Sequence, residues 1–151
     1  MFRGISSVTM DAKGRMALPA RYRDAVAVAS GGRVVVTIDM RESCLLLYPL
    51  AEWELVQSKL ERLSNINPQT RLLQRLLIGH ATDLELDAAG RLLLPPMLRD
   101  FAGLTKKLVL VGQGNKIEIW SADHWRQRLD LWLEEGAALL DSEALFDGLS
   151  V

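Results

Sequence analysis

A short pattern of polar and apolar positions near the start of the chain predicts a β-hairpin. A strand over residues 6–10 leads into Asp-Ala-Lys-Gly at 11–14, and a short apolar strand follows at 16–18. Asp at the first position and Gly at the fourth favour a type I turn that is closed by a left-handed glycine. Asp11 and Gly14 are therefore predicted to form the turn.

The same pattern occurs a second time. Residues 10–19 read MDAKGRMALP, and residues 86–95 read LDAAGRLLLP. Self-similarity of this kind indicates two copies of one structural unit. Asp87 and Gly90 are thus predicted to form a second turn, equivalent to the first.

The elements that follow each turn are also of the same kind in both copies. A short helix is predicted over 20–29, ending at Gly31, and another over 96–101, ending at Gly103. Near-continuous apolar runs then predict a strand buried on both faces, with a second strand paired to it. These pairs are 33–38 with 45–48, and 107–111 with 117–120.

Amphipathic helices complete both copies, because apolar side chains recur at spacings of three and four. The stripes are Trp53, Val56, Leu60 and Leu63 in the first copy, and Trp125, Leu129 and Trp132 in the second. Between the copies, the leucine-rich segment 67–80 predicts a capped helix that is buried against another element. After Gly136, leucines among acidic residues predict a terminal helix that docks weakly or on a neighbouring molecule.

These elements together predict the fold class and its boundaries. A chain of 151 residues with 49% hydrophobic content can form two small units that share one core. We predict an α+β fold in which two tandem β-hairpin/helix repeats form a pseudo-twofold β-rich core, with amphipathic helices outside. The expected domains are a first repeat at 5–53, a helical connector at 54–80, a second repeat at 81–125 and an acidic helical tail at 126–151.

Charge is distributed unevenly along the chain, although the net charge is only −1. Residues 1–80 contain eleven Lys and Arg against seven Asp and Glu, whereas residues 81–151 contain seven against twelve. The basic half could neutralise phosphates, which supply most of the affinity for nucleic acid. Taken alone, however, the distribution fits a solvated surface with scattered charges better than a DNA-binding face.

An enzyme would have to be built from few reactive side chains. Cys44 opens an apolar strand and is expected to be a buried, unreactive thiol, and one cysteine with His80 and His124 gives no recognisable zinc spacing. A phosphate loop and a nucleophile elbow are also missing from the sequence. We therefore predict no catalytic residue, no metal, no cofactor and no small-molecule substrate.

Cysteine usage and hydropathy also predict the compartment. A single cysteine cannot form an internal disulfide, and the first residues lack the apolar segment of a signal peptide. The longest apolar run, 44–51, is too short to span a bilayer. The sequence is therefore expected to be cytoplasmic, without a membrane partner.

The arginine after each turn is the best candidate for binding chemistry. A guanidinium at the tip of a rigid hairpin can present two donors to a guanine edge or to a phosphate. The alternative is that Arg15 and Arg91 form salt bridges to Asp11 and Asp87 and only stabilise the turns. One hairpin leaves both interpretations open, and the presence of two favours binding. The candidate DNA contacts are Arg15, Lys13 and Arg3, then Arg91, with Arg21 and Arg23 as phosphate contacts.

Taken in order and spacing, these motifs resemble those of the MraZ family over nearly the whole chain. The similar segments are the two Asp-x-x-Gly-Arg turns, the Met-Phe-Arg-Gly start, the LLLYP block at 45–49 with Trp53, and QRLLIGHA at 74–81. The resemblance implies two swapped-hairpin units like those of AbrB and SpoVT. It further implies a nucleoid-associated bacterial regulator that assembles into rings. Such a regulator binds repeated G-rich boxes upstream of the division and cell wall gene cluster, which includes its own gene.

The expected partners are double-stranded DNA and further copies of the chain itself. Ala89 stands where the first copy has Lys13, so the two turns are not expected to contact DNA equally. An antitoxin-like protein-interaction module without specific DNA binding is the alternative function for the same fold.

Overall fold

The computed structural model describes residues 1–140 and 146–149 of the chain. Residues 1–121 form one compact unit, and residues 122–151 form a second. The tail positions 141–145, 150 and 151, which belong to the predicted acidic tail, lie outside the described residues.

Both repeats have the same order of elements, namely two strands, a helix, two strands and a helix, and one further helix connects the repeats. In chain order they are β1 (Phe2–Thr9), β2 (Arg15–Ala17), α1 (Ala20–Ser30), β3 (Arg33–Ile38), β4 (Leu45–Pro49), α2 (Leu50–Glu61), α3 (Pro68–His80), β5 (Thr82–Glu85), β6 (Arg91–Leu93), α4 (Pro96–Ala102), β7 (Lys107–Gly114), β8 (Ile117–Ser121) and α5 (Ala122–Leu139). The predicted α+β class is confirmed.

The strands pair across the two repeats to form the main sheet. Its order is β1-β7-β8-β4-β3-β5, and every neighbouring pair is antiparallel. The first strand of each repeat pairs with the third strand of the other, β1 with β7 and β5 with β3. The fourth strands, β4 and β8, meet at the centre. This arrangement has the pseudo-twofold symmetry that the sequence repeat predicts.

The predicted hairpin turns are present, but the two strands that flank each turn pair with strands of the other repeat and not with each other. Only the isolated bridge between Met10 and Met16 joins the first strand to its return strand. The return strands β2 and β6 pair with each other in a separate two-stranded ribbon. A swapped hairpin of this kind links the two repeats directly.

The turns themselves have the predicted geometry. The Gly14 N–H donates to the Asp11 carbonyl at 3.0 Å, and the Asp11 N–H donates to the Arg15 carbonyl at 2.9 Å. Gly14 has a φ of 93° and Gly90 a φ of 74°, a region that side chains with a Cβ rarely adopt. The glycines are therefore required by the backbone conformation.

The main core lies on one face of the sheet and is shared by both repeats. Its largest fully buried members include Tyr22, Met16, Leu45, Leu47, Leu92, Leu94 and Leu98. A smaller cluster contains Val35, Leu46, Tyr48 and Trp53. Alternate residues of β3 and β4 thus enter the two clusters, which explains why those strands are almost continuously apolar.

Most predicted boundaries are confirmed, with small shifts at the termini. α1 ends at Gly31 and α4 at Gly103, each with the glycine in the left-handed conformation. β7 continues to Gly114, beyond its predicted end, because β1 begins at Phe2 and extends the pairing.

Three helical expectations need correction. Leu63 lies beyond the end of α2 and is 42% exposed, so it is not part of the buried stripe. The connector α3 is capped by the Asn67 side chain, as predicted, but none of its residues is fully buried. Its Leu77 carbonyl accepts a hydrogen bond from Thr37 Oγ1 at 2.7 Å. Residues 137–139, where the terminal helix is expected to begin, belong to α5, which continues to Leu139.

The second unit contains α5, whose aromatic side chains pack along the helix. The rings of Trp125 and Trp132 lie 5.8 Å apart, and the Arg128 guanidinium lies 5.0 Å from the centre of the Trp132 ring. Among the described residues, no helix combines the length and the apolar character needed to cross a membrane.

Each turn packs against the first helix of the other repeat. The Leu94 N–H donates to the Gly14 carbonyl at 2.9 Å, and a Cβ on Gly14 would lie 2.8 Å from Arg99 Cζ. At the second turn, a Cβ on Gly90 would overlap the side chain of Arg23. Each turn glycine therefore provides space for an arginine of the opposite repeat, in addition to its backbone freedom.

This double requirement predicts different effects for two alanine substitutions at positive φ. Gly31, at a φ of 61°, has no atom within 4 Å of the position of a Cβ. Gly31→Ala should lower the free energy of unfolding by about 1 kcal/mol, from backbone strain alone. Gly90→Ala should lower it by about 2–3 kcal/mol, because Arg23 must also move. Urea denaturation measures both, and equal losses would show that the arginine packing adds nothing.

Candidate nucleic-acid interface

The two-stranded ribbon has one buried face and one outer face. Met16 and Leu92 are completely buried, so their neighbours along each strand point outward. In the register of the ribbon, Arg15 lies opposite Leu93 and Ala17 opposite Arg91. The ribbon face, as we call these outward residues, consists of Arg15, Ala17, Arg91 and Leu93.

The arginines of the ribbon face are oriented by the turn aspartates. Arg15 Nε donates to Asp11 Oδ2 at 2.9 Å, and Arg91 Nε donates to Asp87 Oδ2 at 3.0 Å. The predicted salt bridges are therefore present. Each salt bridge uses Nε, and within residues 1–140 and 146–149 the terminal amino groups of both guanidinium groups make no other hydrogen bond, which leaves them for an external acceptor.

The aspartates are fixed mainly by the turn backbone. Asp11 Oδ1 accepts the backbone N–H groups of Arg15 at 2.9 Å and Lys13 at 3.0 Å. The N–H of Arg15, followed by its side chain, lowers the pKa of Asp11, and Arg91 lowers the pKa of Asp87 in the same way. Both carboxylates consequently remain ionised at neutral pH and hold the arginines in one orientation.

The other candidate cations fall into two groups. Lys13 lies on the exposed first turn, and Arg23 lies over Gly90 of the second turn. Arg21 instead contacts β1, where it donates to Ser6 Oγ at 2.8 Å and lies over the Tyr22 ring at 4.8 Å.

Arg3 belongs with Arg21 near the start of β1. The Tyr22 hydroxyl donates to the Arg3 carbonyl at 3.0 Å, and Met10 follows Arg3 by seven extended residue steps, a span of about 23 Å. Within one chain, Arg15, Lys13, Arg91 and Arg23 thus lie at the turns, whereas Arg3 and the Arg21 guanidinium lie along β1, away from the first turn.

Sequence reasoning missed three residues on or beside the ribbon and its turns, namely Leu93, Ala17 and Arg99. Leu93 is 55% exposed on the ribbon face, beside the smaller Ala17. Arg99 packs on Gly14. The sequence repeat could have identified Arg99, because Arg99 aligns with Arg23, which is a candidate phosphate contact.

A separate cluster surrounds Cys44. One ligand atom each from Asp39, Cys44 and Glu118 lie within 4.8 Å of one another, and the Cys44 thiol donates to Asp39 Oδ2 at 3.5 Å. Burial, followed by the charges of Glu118 and Asp39, raises the pKa of the thiol far above its usual range. The structure confirms that Cys44 is buried, and this environment disfavours the thiolate that a soft metal would require.

Comparison with known proteins identifies the family. A family model described as "MraZ protein, putative antitoxin-like" matches twice, at residues 1–76 and 77–145. The chain is 57% identical over 148 residues to the transcriptional regulator MraZ of Marinomonas sp. (strain MWYL1), covering 97% of this chain and 98% of that protein.

Two further relatives carry the same name. The protein of Thioalkalivibrio sulfidiphilus (strain HL-EbGR7) is 50% identical over 151 residues, which is the whole of both chains. That of Legionella pneumophila (strain Corby) is 50% identical over 141 residues, 93% of each chain. With two matches that cover most of its length, the chain belongs to the MraZ family, whose members here are named as transcriptional regulators and not as enzymes.

Proposed function

We propose that this protein regulates transcription by binding double-stranded DNA with the ribbon face in the major groove. The observation that carries the proposal is the pair of arginines on that face, each fixed through Nε by its own turn aspartate. An arginine held in this way loses little conformational entropy when its terminal amino groups bind an acceptor.

The residues of the ribbon face match the chemistry of base edges in the major groove. A two-stranded ribbon fits that groove, and an arginine can donate two hydrogen bonds to guanine O6 and N7. The apolar Leu93 and Ala17 lie between the arginines and can contact a thymine methyl group. Lys13, on the adjacent exposed turn, is a further proposed DNA contact.

Exposed apolar side chains support the proposal of self-association. Ile66 is 91% exposed, Leu133 74% and Leu72 48%, on the α2–α3 connection, α5 and α3 respectively. Each of these side chains would lose contact with water if a second copy of the chain covered it. The proposed assembly is a homo-oligomeric ring that presents several ribbon faces, in the cytoplasm and on the nucleoid.

The proposed targets follow from the family. They are repeated G-rich boxes upstream of the division and cell wall gene cluster, including the gene for this protein itself. A guanine-rich box suits a face with two arginines, since arginine pairs best with guanine.

An antitoxin-like protein-interaction module is the second candidate, and the family description uses that term. The exposed apolar residues would serve a protein partner as well as a second copy. This candidate predicts no dependence of any activity on the terminal amino groups of Arg15 and Arg91.

The first prediction from the proposed DNA binding tests whether Arg15 acts through its positive charge alone or through the two-donor geometry of its guanidinium group. Arg15→Ala should weaken binding to a single box by about 1–3 kcal/mol, or roughly 5- to 150-fold, with little effect on the melting temperature. Arg15→Lys should weaken it nearly as much, because lysine keeps the charge but lacks the two-donor fork. Fluorescence anisotropy with labelled duplex provides the affinities.

Two further variants complete that experiment. Arg91→Ala should weaken binding less than Arg15→Ala, since Ala89 replaces the lysine of the first turn. Lys59→Ala, a change on the exposed surface of α2, controls for total charge and should leave affinity unchanged. Normal binding by both arginine variants would exclude the ribbon face as the DNA-binding surface.

The second prediction concerns assembly. One protomer offers few cations near its turns, so binding by a single subunit should be weak at physiological salt. Several subunits on adjacent boxes should raise affinity by about 10²- to 10⁴-fold between one box and two or more. Analytical ultracentrifugation should show an oligomer larger than a dimer. A monomer that binds one box as tightly as three would contradict the prediction.

A further inference from the structure

A cavity of about 590 Å³ lies beside the first turn, at a junction between the repeats. One side comes from the first repeat, at residues 9–12, and the other from the second repeat, at Arg99 and residues 104–106. The Met10 N–H donates to the Lys106 carbonyl at 2.8 Å, which holds the backbone of Lys106 next to the turn. We call this cavity the turn cleft.

Two cationic side chains line the turn cleft. Lys106 is exposed, and Arg99 packs on Gly14 with its Nε buried. Across residues 1–140 and 146–149, Arg99 Nε has no hydrogen-bond partner and its guanidinium group is in no ion pair. Its positive charge is therefore not neutralised within that part of the protein, which favours binding of an anion nearby.

The carboxylate in the lining does not offset these charges. Asp11 uses Oδ2 for the Arg15 side chain and Oδ1 for two backbone N–H groups of its own turn. Its charge is thus compensated by groups of the turn. Lys106 and Arg99 remain as the net charge of the cleft, with the Thr105 side chain as a further polar group.

At the second turn, Arg23 packs on Gly90 as Arg99 packs on Gly14, but a glycine replaces the lysine of the turn cleft. There the Leu86 N–H donates to the Gly32 carbonyl at 2.9 Å, so Gly32 occupies the place that Lys106 has beside the first turn. A glycine offers no charge at that position. The asymmetry is therefore built into the loops that precede β3 and β7, and it adds to the difference between Lys13 and Ala89.

We propose that Lys106 and Arg99 of the second repeat bind a DNA phosphate in the turn cleft, next to the bases contacted by Arg15 of the first repeat. The inference rests on the proposed DNA binding and assigns to it a phosphate site composed of both repeats. The first turn is then the stronger of the two DNA contacts, because phosphate contacts position a reading element and supply most of its affinity.

The test compares Lys106→Gln with Lys59→Gln, a matched loss of one lysine on α2. Affinities of the full-length variants for duplex with one box are measured from about 50 to 200 mM salt. Lys106→Gln should weaken binding about 5- to 10-fold at the lowest salt and reduce the slope of log K against log salt by about 1. The ratio of the two proteins' affinities should therefore be about 3.5-fold smaller at the highest salt than at the lowest salt. Lys59→Gln should match the unchanged protein.

A third variant, Arg15→Ala, distinguishes failure of the phosphate site from failure of the proposed DNA binding. If Arg15→Ala weakens binding and Lys106→Gln does not change the salt slope, the phosphate site is wrong while DNA binding by the ribbon stands. If neither variant affects binding, the proposed function fails, and the phosphate site with it. A change in oligomer mass in Lys106→Gln, with an unchanged slope, would assign Lys106 to a contact between subunits and also overturn the proposal.

Discussion

Antiparallel pairing of β2 with β6 is the contact on which the arrangement of the other elements depends. The two strands run in opposite directions, so each turn emerges beside the end of the other repeat's return strand. The first strand of each repeat must then pair with the third strand of the other. Neither repeat completes a sheet from its own strands, and the buried face of the ribbon, at Met16 and Leu92, forms part of a common core. The two repeats are therefore expected to fold as one cooperative unit.

The turns show how one short motif meets structural and chemical requirements together. Asp11 fixes the turn through backbone N–H groups and fixes Arg15 through Nε. From the sequence, a salt bridge and a DNA contact are competing roles for the arginine. In the structure the two interactions are compatible, because the salt bridge uses Nε and leaves the terminal amino groups of Arg15 for another acceptor. Placement of the guanidinium by the salt bridge would favour the proposed DNA contact, because less conformational freedom is lost on binding.

The sequence predicts the parts of this fold that depend on local rules. Turn chemistry, glycine helix ends and apolar periodicity give nearly all elements, and the repeat gives the symmetry. These local rules do not give the partner of each strand, because β1 and β2 satisfy the hairpin pattern equally well whether they pair with each other or with β7 and β6. Only the family resemblance implied the swapped pairing that the structure has. The packing of Arg99 on Gly14 and the exposure of Leu93 depend on that pairing. For the same reason, sequence reasoning grouped Arg3 and Arg21 with the turn cations, whereas the structure places them near the start of β1.

Covalent linkage of the two repeats has a consequence for symmetry. In a homodimer of identical hairpin units, both ends of the ribbon would be chemically the same, and a duplex could lie across it in either direction. Here one end has Lys13 and Lys106, and the other has Ala89 and Gly32 at the corresponding places. A single gene product can accumulate such differences because each half mutates separately. The ribbon therefore has a polarity, and an extended ligand laid along it can be bound in one preferred direction.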